Sequence, residues 1–232
     1  MKCTQVVFLA LTLLMVTSCK SNTKQNNTPD SKEVAQESIP EYTKLSPQEL
    51  DTYETAYFAS GCFWCVEAIF ESVRGVKEAV SGYAGGTEDN PNYEMIGNGI
   101  TRHAEAIEVY YDPEVISFTE LVQVFFGSHD PTTLNQQGPD RGSQYRSIAF
   151  YKNEKEKNII EGYIQVARDM DIYEGNPITT EVTKFEKFWK AEEYHQDYER
   201  KNPNNSYVRN VSVPRLNRFK ENFGDFLKTD TH

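Results

Sequence analysis

Gly61-Cys62-Phe63-Trp64-Cys65 sets two thiols one helical turn apart with two large aromatic side chains between them, an arrangement suited to redox chemistry beside an apolar pocket. A strand-like run from Tyr53 to Ser60 leads into Gly61, and a helix-like run from Phe63 to Val73 follows. Cys62 is therefore expected at a helix start, where unpaired backbone N–H groups and the helix dipole favour a thiolate. Cys65 should face the same side, near enough to close a disulfide with it. From these residues alone four readings stand open: a nucleophile with its resolving partner, half of a zinc site, a dithiol of the thioredoxin kind, and two buried structural cysteines.

The elements that must hold this motif follow from periodicity. Val76 to Tyr83 reads as a strand that enters a long loop at Gly85-Gly86, running through Asn90-Pro91-Asn92-Tyr93 to Gly99. His103 to Tyr111 alternates as a strand with Ile107, Val109 and Tyr111 on one face, and Asp112-Pro113 stops it. Ser117 to Glu120 is a capping box opening a helix with Leu121, Val122, Phe125 and Phe126 at core spacing. A loop from His129 to Gly142 precedes a strand, Gln144 to Tyr151, and then an amphipathic helix over Asn153 to Asp171. Thr179 to Phe185 suits another strand, Phe188 to Arg200 is compatible with a helix, and the chain beyond Asn202 reads as irregular until a short amphipathic stretch, Leu216 to Leu227. The pattern predicts an α+β single domain, a mixed sheet with packed helices and long loops.

The first 18 residues do not belong to that domain. Lys2 followed by the apolar run Val6 to Val16 is too short to cross a bilayer and reads as a secretion signal. Val16-Thr17-Ser18-Cys19 resembles the lipobox of bacterial lipoproteins, which implies cleavage before Cys19, lipidation of Cys19 and loss of Cys3 with the signal. Residues 19–48, rich in Ser, Asn, Thr, Gln, Lys and Glu, are expected to be a disordered tether, leaving 49–232 as one domain. The net charge of −11 and the lack of clustered Lys and Arg argue against nucleic acid as a partner.

Gly61-Cys62-Phe63-Trp64-Cys65-Val66-Glu67, Gly82 to Gly86, His103-Ala104-Glu105, His129 to Thr132 and Asp140 to Ser147 together resemble the type A peptide methionine sulfoxide reductases, over roughly residues 53 to 205. The resemblance implies a ferredoxin-like core and reduction of the S epimer of methionine sulfoxide, free or in oxidised proteins. It also implies a thioredoxin-like dithiol as external reductant, no bound cofactor or metal, and a monomer. Within it, Cys62 matches the nucleophile and Glu105 the acid that protonates the sulfoxide oxygen. Tyr93 and Tyr145 match phenols that hydrogen-bond that oxygen, Asp140 a carboxylate that orders the site, and Phe63 and Trp64 the pocket for the S-methyl group. His195 sits in a further matching block and reads as support for the site, while His103 and Arg146 take no assigned role. Many relatives carry Gly at the place of Cys65 and recycle through cysteines near the C-terminus. Here no cysteine follows Cys65, so Cys65 is the candidate to close a disulfide with Cys62.

Other classes make different use of these residues. A thioredoxin-like disulfide oxidoreductase would need the cysteine pair but not Glu105, Asp140 or the tyrosines. His103 with Cys62 and Cys65 is superficially similar to the zinc deaminases, with the cysteines in the wrong order. A noncatalytic lipoprotein that binds oxidised partners would show no turnover. The lipid anchor implies a place in the cell envelope, on a bacterial membrane and outside the cytoplasm.

Overall fold

The computed structural model describes residues 44–229; the expected signal, Cys19 and most of the expected tether lie outside the described residues. Strands β1 (Glu54–Ser60), β2 (Val76–Ala84), β3 (Ala104–Tyr111), β6 (Ser147–Tyr151), β7 (Glu181–Lys184) and β8 (Phe188–Lys190) form one sheet in the order β7-β6-β1-β3-β2-β8. Two-residue strands β4 (Gln136–Gln137) and β5 (Asp140–Arg141) make a separate hairpin. The helices are α1 (Pro47–Leu50), α2 (Phe63–Glu71), α3 (Tyr93–Gly97), α4 (Phe118–Gly127), α5 (Glu154–Asp169), α6 (Tyr198–Lys201) and α7 (Val213–Asn222). In sequence β1-α2-β2 and β3-α4-β6 are two strand–helix–strand units, and their strands interleave as β6-β1-β3-β2 with every neighbour antiparallel. That is the ferredoxin-like core, widened by β7 parallel to β6 and β8 antiparallel to β2.

Strand alternation decides what faces the helices. On β3, Ile107, Val109 and Tyr111 join the core formed by α2 and α4, while Ala104 and Ala106 point to the opposite face. Glu105 shares the parity of Ile107, so the pleat delivers its carboxyl to the helix side. Phe58 of β1 packs between Phe70 of α2 and Phe125 of α4, with ring centres 5.3 and 5.0 Å away. The capping box at Ser117 forms as the sequence predicts, Glu120 N–H donating to the serine hydroxyl and the serine N–H to the Glu120 carboxylate at 2.8 Å. Beside α4, α5 buries Ile160, Ile164 and Ala167, and Tyr163 stacks on Phe126 at 4.4 Å. The other sheet face carries small side chains and is closed by Phe185 and Phe188.

Three expectations give way. Phe188 to Arg200 is not a helix: Phe188–Lys190 pairs as β8 with Gly82 to Ala84, a 3₁₀ turn spans Glu193–His195, and Asp197 adopts a left-handed φ of 57°. The Gln196 side chain then bonds Ser81 N–H and Ser81 C=O as a backbone segment would, extending the ladder of β2 with an amide. The stretch beyond Asn202 is a π-helical turn, Val208–Ser212, running directly into α7 with Pro214 tolerated in its first turn. The long loop after β2 contains α3, capped by Asn92. At the start of the described residues, α1 is opened by a capping box at Ser46, and Lys44 pairs with Glu78 at 3.1 Å. Among the described residues no helix is long and apolar enough to cross a membrane.

Candidate active site

The site is built at the start of α2. Gly61 turns the chain from β1 with φ +91°, and a Cβ there would lie 2.6 Å from Cβ of Gln137, so glycine lets β4 pack against the turn that leads into Cys62. Cys62 is the residue before the first helical turn, and both cysteines are buried and free. The first helical N–H, that of Phe63, donates to Glu105 Oε2 at 3.0 Å. The helix-start donor expected to hold a Cys62 thiolate is thus engaged by the carboxyl from β3.

The surroundings shift the two thiols in opposite directions. Burial pushes the Cys62 thiol well up, and the hydrogen bond it gives Cys65, with nearby Glu105, pushes the same way. Cys65 moves down, first because it accepts that hydrogen bond, then through Arg215, Ser212 and Tyr207, which outweigh its own burial. Its sulfur lies 2.8 Å from Ser212 Oγ and 3.8 Å from Tyr207 Oη. The two thiols are therefore set apart, Cys62 pushed up and Cys65 pushed down.

Glu105, 3 % exposed, has its carboxyl raised to about 8, chiefly by burial and further by the charges of Asp140 and Cys65. It is an acid at neutral pH. The phenols of Tyr93 and Tyr145 are both pushed up, Tyr93 to about 12, by burial and then by Glu105 and Cys62, which both rings approach. Asp140 is held by Tyr207, whose hydroxyl donates to Oδ2 at 2.5 Å, and so it orders the site through a phenol and not directly. Phe63 is buried beneath the ring of His195 at 5.0 Å, with Tyr93 at 6.5 Å. Trp64 is half-buried, stacked on Tyr198 at 3.7 Å with rings 6° from parallel. Its indole N–H donates to His195 Nδ1 at 3.1 Å, which leaves the histidine proton on Nε2. His195 thereby fixes the tryptophan.

His103 and Arg146 prove architectural. His103 accepts from Gly86 N–H at 3.1 Å and donates to the Glu88 carbonyl at 2.8 Å, so neither nitrogen is turned to the cysteines. Arg146 ties Glu181 and the carbonyls of Ser143 and Arg102 together. Among the described residues the carboxylates grouped closely enough to hold a metal are Glu67, Glu71 and Asp197, without cysteine or histidine. Sequence reasoning missed Tyr207, Ser212 and Arg215, which surround Cys65 from the far end of the chain. Arg215 is buried and its guanidinium donates to the carbonyls of Ser128 and Ser60 at 2.8 Å each.

A family model described as peptide methionine sulfoxide reductase matches residues 54–227. Peptide methionine sulfoxide reductase MsrA 1 of Rhodopirellula baltica is 47% identical over 175 residues, 75% of this chain and 90% of that protein. The MsrA of Haloquadratum walsbyi is 45% identical over 174 residues, 75% and 98% of the two chains. Among solved structures, Mxr1 from Saccharomyces cerevisiae in reduced form is 34% identical with a TM-score of 0.61, covering 71% of this chain and 92% of that one. Methionine sulfoxide reductase A of Corynebacterium diphtheriae is 35% identical with a TM-score of 0.58, covering 65% and 75%. On this fold, with a family model over most of the described chain and relatives of this identity, the chain belongs to the peptide methionine sulfoxide reductase family, type A, as an oxidoreductase enzyme.

Proposed function

We propose that the protein reduces methionine-S-sulfoxide, free or in oxidised proteins, with Cys62 as nucleophile and Cys65 as resolving thiol. The sulfoxide oxygen accepts the Glu105 proton and hydrogen bonds from Tyr93 and Tyr145, which turns a poor leaving oxygen into hydroxide-like oxygen on an electrophilic sulfur. Cys62 gives its proton to Cys65 as its sulfur attacks. The S–O bond to methionine breaks, the oxygen passes to Cys62 as a sulfenic acid, and methionine leaves reduced. The Cys65 sulfur then attacks Cys62, forming the disulfide and releasing water, and an external thioredoxin-like dithiol opens that disulfide by exchange. The S-methyl group would lie against Trp64, with Phe63 beneath, and the opposite epimer would turn its oxygen toward these rings unpaired, at a cost of about 1–3 kcal/mol.

The observation that carries this reading is the pair of buried free cysteines at the start of α2, with the buried Glu105 carboxyl bonded to the Phe63 N–H between them. Peptide mapping after one equivalent of sulfoxide should find a Cys62–Cys65 bridge. Cys65→Ser should release one equivalent of methionine and then stop with a thioredoxin reductant. An unbridged Cys65 in the turned-over wild type contradicts the scheme. A thioredoxin-like oxidoreductase, the other enzymatic reading, leaves Glu105 and the phenols without a task, and insulin reduction without sulfoxide reduction would favour it.

The same proposal extends to place. Residues 1–18 would be a lipoprotein signal, 19–48 a lipidated tether and 49–232 the reductase domain, held at a bacterial membrane outside the cytoplasm. Fatty-acid labelling of the full chain that survives Cys19→Ser would refute it.

A further inference from the structure

Tyr194 leaves most of its ring in water while the residues around it are tied down. Glu192 accepts from Tyr83 Oη at 2.8 Å and from Tyr93 N–H at 3.0 Å, and His195 is buried. Tyr194, in the same 3₁₀ turn, is 59 % exposed. Its ring centre lies 4.1 Å from that of His195, which in turn is 4.3 Å from Tyr93, 5.0 Å from Phe63 and 5.7 Å from Trp64. A row of rings thus runs without a break from the proposed S-methyl pocket to open solvent, and Tyr194 is its outer end. The charge beside that end is negative. Among the described residues Glu192 has no Lys or Arg within 4.0 Å; its nearest basic group is His195 Nε2 at 4.0 Å, on a ring left neutral because Nδ1 accepts from Trp64. Glu193 is exposed and pairs with Lys190 at 3.2 Å, and Glu94, beside Tyr93 on α3, is exposed as well.

We propose that Tyr194 and Glu192 form a subsite for a lysine or arginine side chain next to the methionine sulfoxide of a protein substrate. The inference deepens the function proposed above and rests on it. A polypeptide that delivers one side chain to the Phe63 and Trp64 pocket must lay its adjoining residues over the rim, and on this side the rim is the Tyr194 ring. Consecutive Cα atoms are about 3.8 Å apart and the stems of Lys and Arg are long, so a neighbouring head group reaches the outer end of the ring row. A cation over an exposed tyrosine is attracted by the negative face of the ring, and the carboxylate of Glu192 adds to that attraction. An apolar neighbour would gain the ring contact without the charge, and an acidic neighbour would meet Glu192 as a like charge. A methionine sulfoxide capped at both ends has nothing to place there.

The test gives the full chain, with dithiothreitol as reductant, the S epimer of methionine sulfoxide either as the doubly capped residue or in pentapeptides that flank it with Arg, Leu or Glu. In the wild type kcat/KM should rank Arg above Leu above Glu, with Arg exceeding Glu by about fivefold or more. The difference should sit in KM and should shrink in about 1 M salt, where charges are screened beyond about 3 Å. Tyr194→Leu should bring the Arg peptide to within about twofold of the Leu peptide, while Tyr194→Phe, which keeps the ring, should preserve the ranking. Each peptide value is divided by that of the capped sulfoxide in the same variant, so loosening of His195 or Trp64, which slows every substrate, leaves the ratios as in the wild type. Equal ratios for the three peptides in the wild type, a preference for the Leu peptide, or an Arg preference that survives Tyr194→Leu overturns the subsite. Failure of the wild type to reduce even the capped sulfoxide instead overturns the function proposed above, and the subsite with it.

Discussion

At the scale of single residues, the division of labour is set by where protons rest. Glu105 is raised to about 8, so it stays an acid across the neutral range and is lost as the donor when pH rises through that value. The first step should accordingly be fast below about pH 8 and fall above it, the sign that a required acid gives. Glu105→Gln should keep the hydrogen bond from Phe63 N–H yet lower the rate of methionine release by about 10²–10⁴, with no remaining fall near pH 8. Release within threefold of wild type would mean that the sulfoxide takes its proton elsewhere. Cys62, Glu105, Asp140 and Tyr145, proposed for this step, lie in compact blocks that resemble the family, with Tyr93 in the loop between two of them. The opposite shifts of the Cys62 and Cys65 thiols were not legible, because they depend on Glu105 lying beside Cys62 and on Tyr207, Ser212 and Arg215 arriving from more than 140 positions away.

At the scale of elements, the strands and helices whose signals are local matched expectation, and those held by distant partners did not. Ser117 and Glu120 carry the start of α4 within four residues. Phe188 to Lys190 has no such signal, and becomes a strand because the edge of β2 is open to it and Gly82 offers no side chain. A Cβ on Gly82 would sit 2.2 Å from Cζ of Phe188 and 2.5 Å from the Trp189 carbonyl oxygen. Gly82→Ala should therefore push β8 off the sheet and destabilise the protein by about 1–3 kcal/mol, read as a lower urea midpoint. Because the segment after β8 carries His195, which fixes Trp64, the variant should also lose activity toward sulfoxide more than it loses secondary structure. An unchanged midpoint would show that β8 can shift without cost. The π-helical turn hid for a related reason: its register is imposed by packing against α2, and Pro214 just after it reads in sequence as a break.

At the scale of the whole molecule, acidic groups cluster inside as well as outside, and this fixes how stability responds to pH. Glu67 is raised to about 7, and Glu71, Glu105 and Glu199 to about 8, each first by burial. An unfolded chain releases these protons near pH 4.5, so between 4.5 and 8 the folded state binds more protons than the unfolded one. The stability they contribute is complete below the unfolded value and is lost as pH rises through the folded values. His129 acts oppositely: burial lowers it to about 3, so folding gains as pH rises from 3 to the ordinary histidine value of 6.5. Cys65, lowered to about 6, opposes the carboxyls between that value and its ordinary value of 9, whereas the upward shift of Cys62 acts only above 9. From about pH 6.5 to 8 the four carboxyls outweigh the single opposing thiol of Cys65, and Tm should fall across that interval. Replacing Glu71 with Gln should flatten the slope, since a neutral amide in its place removes one released proton. A Tm that rises from pH 6.5 to 8 would mean that the buried carboxyls are ionised in the folded protein, and Glu105 could then not serve as the acid on which sulfoxide reduction depends.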